Sequence, residues 1–138
     1  MSRDVVAVAA GGAVGTLLRY GALEAYPVGH ATFPTTVFVV NVIASFALGW
    51  LLARLDPRGR HPLAPASRPF LVAGVVGAFG TLSAVVVDTV LLLNAHRVGV
   101  AATYLVGTFV VGVAALLVGI RLGGWHLLGG SVPEEDVL

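Results

Sequence analysis

The sequence predicts an all-α membrane protein of four transmembrane helices, the third of them broken near its middle. Three observations lead there. The mean hydropathy is +0.95, and of 138 residues 57% are hydrophobic and 11% charged, far too apolar for a soluble domain of that size. Four apolar stretches, 5–25, 34–53, 70–93 and 100–122, each meet the roughly 20 residues a spanning helix needs. The third is interrupted by Gly74, Gly77 and Gly80, followed by Thr81 and Ser83.

The first stretch follows Arg3, as a signal peptide would, but continues past Gly11 and Gly12 to Tyr20 and is read as a retained span. The second opens at Pro34 and carries Asn41 at its centre, with Ser45 one turn further on the same face. An amide in hydrocarbon needs partners, either a neighbouring helix or an anion that accepts from its NH2 group. In the third span each interior glycine weakens the helix by about 1 kcal/mol relative to alanine. A helix opened in lipid leaves backbone groups unsatisfied, so such a break predicts an ion or substrate site at mid-membrane depth. Asp88, later in that span, calls for a partner or a route to water. The fourth span places Tyr104 and Thr108 at i and i+4.

Little of the chain is left outside the membrane. The 54–69 connection is basic and punctuated by proline, and the tail, 123–138, ends with Glu134, Glu135 and Asp136. All eight basic residues are arginines. With four spans, Arg3, Arg54, Arg58, Arg60, Arg68 and Arg121 share one side, against Arg19 and Arg97 toward the other, so the 54–69 loop and both termini are expected in the cytoplasm. Small residues within the spans, among them Gly11, Gly15, Ala44, Gly49, Gly107 and Gly119, allow close helix approach. So thin a bundle predicts an oligomer.

Several classes of function are excluded or disfavoured. Cysteine is absent, which removes disulfides and thiolate chemistry. His30, His61, His96 and His126 show no ligand spacing, and no nucleophile–base constellation marks an enzyme. A net charge of +1 gives no case for nucleic acid. A proton-coupled drug exporter would need a carboxylate near the middle of the first span, where the only acid inside the span is Glu24 at its end. Amide and hydroxyl donors without fixed intramembrane cations suit a small, strongly hydrogen-bond-accepting anion.

Taken together, the motifs resemble the Fluc (CrcB-type) fluoride channel family along nearly the whole chain. The first span's Gly11-Gly12-Ala13-Val14-Gly15-Thr16-Leu17-Leu18-Arg19-Tyr20 is similar to the family opening, with Thr16 as a departure. Phe33-Pro34, Val40-Asn41, Ser45-Phe46 and Gly49 match the second-span pattern, while Gly74, Gly77, Phe79, Thr81 and Ser83 match the third, with Asp88 in place of its acid. Tyr104 and Thr108 resemble the tyrosine and hydroxyl pair of the fourth.

The resemblance implies an antiparallel, dual-topology dimer of four-helix subunits in the plasma (inner) membrane, with fluoride pores along the subunit interfaces. It implies a structural sodium ion (Na+) at the dimer centre, held by the backbone carbonyls of Gly77 and Gly80. Asn41, Thr81, Ser83, Tyr104 and Thr108 would be pore donors, and Arg19 would stand at a vestibule. The family's two pore phenylalanines fall on Leu82 and Val85, and aliphatic groups lack the positive ring edge that can face an anion. Val37, Ala44 and Gly112 are further departures. The implied function is passive export of cytoplasmic fluoride, reducing its toxicity. The lost aromatics and the arginine bias further predict a second, non-identical homologue as partner; the alternative is a non-conducting assembly or regulatory subunit.

Overall fold

The computed structural model describes residues 3–29, 32–55 and 67–124. Most of the basic connection, the acidic tail and the expectations on His30, His61 and His126 lie outside the described residues. Five α-helices and one π-helical segment account for the four spans: α1 (Arg3–Ala25), α2 (Thr35–Arg54), the π-helical Pro69–Val76, the single turn α3 (Gly77–Phe79), α4 (Leu82–Asn94) and α5 (Val98–Leu122). The described residues hold four helical stretches long and apolar enough to cross a membrane, and no strand.

The predicted spans agree with these elements to within two residues at each end. The sequence did not signal that the first half of the third span winds with the wider i→i+5 turns of a π-helix, a form that often accompanies functional sites. Pro69 starts this segment, where its missing N–H costs nothing.

Two glycine seams assemble the subunit. Along the first, α1 lies on the third span: a Cβ on Gly11 would collide with the Phe70 carbonyl oxygen, and one on Gly15 with that of Val75. Gly74 meets Gly11 in turn, its added Cβ only 2.8 Å from the Gly11 Cα. In the second seam, α2 lies on α5, where Gly49 faces the Leu116 carbonyl and Gly119 faces that of Phe46. Side-chain-free surfaces bring the backbones into van der Waals contact, the main attraction available between helices in lipid. The close approach permitted by these residues is therefore within one subunit. Gly12, by contrast, meets nothing.

The remaining core forms two clusters. Val37, Val85, Leu92, Ala101 and Tyr104 knit α2, α4 and α5 together, whereas Ala44, Leu51, Leu55 and Val76 join α2 to the third span. Phe33 completes the first cluster with its ring 5.4 Å from that of Tyr104, nearly perpendicular. At the connection between the first two spans, the Thr36 hydroxyl donates to the Tyr26 carbonyl at 2.5 Å. In the last turn of α2, the Arg54 guanidinium lies 5.3 Å from the centre of the Trp50 ring.

The turn between α4 and α5 is a Schellman motif built without glycine. The His96 N–H donates to the Leu93 carbonyl at 2.9 Å and the Arg97 N–H to that of Leu92, also at 2.9 Å, with His96 at φ 56°. A side chain in this left-handed conformation is disfavoured by roughly 1 kcal/mol or more. His96→Gly is therefore expected to stabilise the subunit by up to about 1 kcal/mol in reversible unfolding in mixed micelles. At the α2–α5 seam, Gly119→Val should destabilise by about 2 kcal/mol or more in the same assay, because the Phe46 carbonyl that meets the new side chain is backbone and cannot rotate away.

Candidate anion site

The break in the third span is short and well defined. Gly80 (φ −71°, ψ 152°) and Thr81 (φ −148°, ψ 113°) are extended, so the helix stops after Phe79 and restarts at Leu82. Asn41 of α2 receives the opened backbone from both sides: the Thr81 N–H donates to Asn41 Oδ1 at 2.7 Å, and Asn41 Nδ2 donates to the Thr81 carbonyl at 3.1 Å. Thr81 then caps α4, its Oγ1 accepting the Ala84 N–H at 3.2 Å. This pattern has a consequence for two carbonyls. In a continuous α-helix the Thr81 N–H would bond to Gly77 and the Ala84 N–H to Gly80. Both donors are engaged elsewhere, so the oxygens of Gly77 and Gly80 are left without their helical partners.

Beside the break lies a cavity of about 230 Å³ between α2, α4 and α5. Its polar lining comes from Asn41, Ser45, Thr81 and Thr108, and its apolar lining includes Leu82, Val85 and Phe109. Five of the anticipated site residues, Asn41, Thr81, Leu82, Val85 and Thr108, thus meet around one space. Leu82 is 61% exposed at its rim, whereas Val85 is 1% exposed, part of the core cluster with Tyr104.

The other anticipated residues stand apart from this wall. Tyr104 is fully buried, and its hydroxyl donates to Asp88 Oδ2 at 3.1 Å, which supplies the partner that Asp88 requires. Asp88 also borders a smaller cavity, of about 80 Å³, shared with Val28, Gly29 and Thr32 near the α1–α2 connection. Ser83 is exposed and its Oγ lies 3.0 Å from that of Thr81. Arg19 is half-buried on α1, none of whose residues lines the cavity beside the break.

The hydroxyls differ in what they have left to give. Thr108 donates to the Tyr104 carbonyl at 2.7 Å, the satisfaction by its own helix that is usual for threonine. Thr81 and Ser83 share one hydrogen bond. Asn41 keeps one of its two amide hydrogens. Sequence reasoning placed Ser45 on the Asn41 face without naming it as a site residue, and missed Phe109 entirely. Spacing could have promoted Ser45. A lone phenylalanine in an apolar span carries no such signal, since lipid-facing and cavity-facing rings look alike in sequence.

The comparisons agree with this architecture. A family profile described as "CrcB-like protein, Camphor Resistance (CrcB)" matches residues 6–120, so the chain belongs to the CrcB-like family. Among its curated relatives are proteins named "Fluoride-specific ion channel FluC" from Rhodospirillum centenum, 39% identical over 86% of this chain and 93% of the relative, and from Oceanobacillus iheyensis, 35% identical over 98% of both. A third, "Fluoride-specific ion channel FluC 2" from Leifsonia xyli subsp. xyli, is 42% identical over 88% of this chain and 83% of its own length. The names are those of ion channels, not of enzymes.

The Asn41 clasp can be tested directly. Asn41→Leu removes both partners of Thr81 and leaves a partly buried N–H and carbonyl unsatisfied, at about 1–3 kcal/mol each at most. Expected outcomes are a loss of stability of about 2 kcal/mol or more in micelle unfolding and faster hydrogen exchange at the Thr81 amide than in the native chain.

Proposed function

We propose that this chain is a subunit of a fluoride-specific channel in the plasma membrane, which lets cytoplasmic fluoride leave down its gradient and so limits its toxicity. One observation carries the reading: a chain of the CrcB-like family sets a cavity bearing amide and hydroxyl groups against a broken membrane span, with no cationic side chain among its lining residues. Such donors replace an anion's water without the tight hold that a fixed cation would exert.

The proposed assembly is an antiparallel, dual-topology dimer. Its centre is the break, where Gly77 and Gly80 of both subunits would hold a structural sodium ion through their carbonyls. The diverted N–H groups of Thr81 and Ala84 support this, because they leave those two oxygens free to act as hard ligands. When bound, the ion would neutralise the converging carbonyl dipoles and join the subunits. Asn41, Thr81, Ser83, Tyr104 and Thr108 would then belong to the pore lining or its support, and Arg19 to a vestibule.

The partner is proposed to be a second homologue. The arginine distribution favours cytoplasmic termini and thus one orientation, whereas a self-pairing antiparallel subunit would insert both ways. A relative whose name carries the numeral 2 fits that expectation. The second reading, a non-conducting assembly subunit, draws on Leu82, an aliphatic side chain at the cavity rim.

Fluoride efflux from liposomes separates these outcomes. The chain with an oppositely biased homologue from the same genome should empty fluoride-loaded vesicles, and the chain alone should be at least tenfold slower. Equal rates would overturn the pairing. Flux absent from both preparations would overturn the channel reading, and flux that depends on the partner's pore residues alone would favour the assembly role.

A further inference from the structure

Ser45 and Phe109 line the cavity without a role assigned by the sequence motifs or the resemblance, and their surroundings single them out. The Ser45 hydroxyl has no hydrogen-bond partner among the described residues, although it is partly buried at mid-span. It is directed at α5, where a Cβ on Gly112 would lie 3.3 Å from its Oγ. Gly112 therefore keeps the space in front of this hydroxyl open. One turn before Ser45 on the same helix face, Asn41 holds an unused amide hydrogen toward the same cavity.

Phe109 is the only aromatic residue among those lining the cavity, and it precedes Gly112 by three residues on one face of α5. It is 53% exposed. The rim of a phenyl ring carries the positive part of its quadrupole, which attracts an anion that lacks its full water shell. Leu82 and Val85, on the opposing α4 wall, offer nothing equivalent.

From this geometry we infer that the anion station of this chain is formed by the second amide hydrogen of Asn41, the Ser45 hydroxyl and the ring edge of Phe109. Resting on the fluoride reading, the inference names the groups that act in it. Tyr104 and Thr108 serve as positioning residues, since the hydroxyl of one holds Asp88 and that of the other holds its own helix. Two donors on α2, about 6 Å apart along the axis, and a ring on α5 bracket the anion without a formal positive charge.

Two measurements on the dimer test the assignment: fluoride binding in detergent followed by 19F NMR, and fluoride efflux from liposomes with its fluoride-to-chloride ratio. Ser45→Ala and Phe109→Leu are each expected to weaken fluoride binding and slow efflux by tenfold or more, while Ser45→Thr and Phe109→Tyr stay within about threefold of the native protein. Thr89→Val, which removes only a hydroxyl bonded to its own helix outside the cavity lining, should stay within about twofold. Native-like binding by dimeric Ser45→Ala and Phe109→Leu would overturn the inference and leave the channel reading intact. Loss of binding in these variants, from a native protein that binds fluoride but conducts none, would uphold the station and overturn the channel reading. A native protein that neither binds nor conducts fluoride overturns both.

Discussion

The two hydrogen bonds between the side chain of Asn41 and the backbone of Thr81 hold together everything around the break. A membrane helix that opens at Gly80 and Thr81 exposes amides and carbonyls that hydrocarbon cannot satisfy. A single carboxamide from α2 accepts one and donates to the other. With Thr81 fixed, its hydroxyl can cap α4, and α4 can restart in a direction that sets Asp88 against Tyr104 and Val85 into the core. The same diversion of N–H groups releases the oxygens of Gly77 and Gly80. Structural support for the break and the proposed ion ligands thus have one cause.

Among the intramembrane hydroxyls, position within the hydrogen-bond pattern matters more than number. Thr108 and Thr89 turn back to their own helices, Thr81 and Ser83 hold each other, and Tyr104 is committed to a carboxylate. Ser45 alone in the cavity wall retains an unengaged hydroxyl, and Gly112 across from it leaves room for an ion. A donor track counted from the sequence would rank these residues alike. Hydrogen-bond geometry separates groups that hold the protein from groups free to meet a permeating species.

The glycines show a similar division. Those of the third span weaken a helix where weakness is needed, while Gly11, Gly15, Gly49 and Gly119 strengthen a bundle by removing side chains from contacts between backbones. Small residues in the spans were legible as a packing signal, yet sequence could not say whether the neighbour was another helix of the subunit or another subunit. For the two seams it is the former. The π-helical winding of Pro69–Val76 and the left-handed His96 had no legible signal at all: the first arises in an apolar run that suits an ordinary helix, and the second occupies a position at which glycine is the usual choice.

Apolar length determined the four spans, since only a helix can carry about twenty apolar residues through lipid with its backbone satisfied. Glycine and threonine spacing located the break, and the motifs pointed to the family, whose profile covers residues 6–120. Asn41 was legible as a polar residue in need of partners, but both an anion and a neighbouring helix met that need in principle. Tertiary structure decided between uses of the same atoms: it brought Thr81, forty residues away, against Asn41, closed Tyr104 onto Asp88, and left Ser45 and Phe109 facing one cavity. Composition and periodicity report which faces can enter lipid. Which donors remain free depends on contacts between helices distant in sequence, and those exist only once the chain is packed.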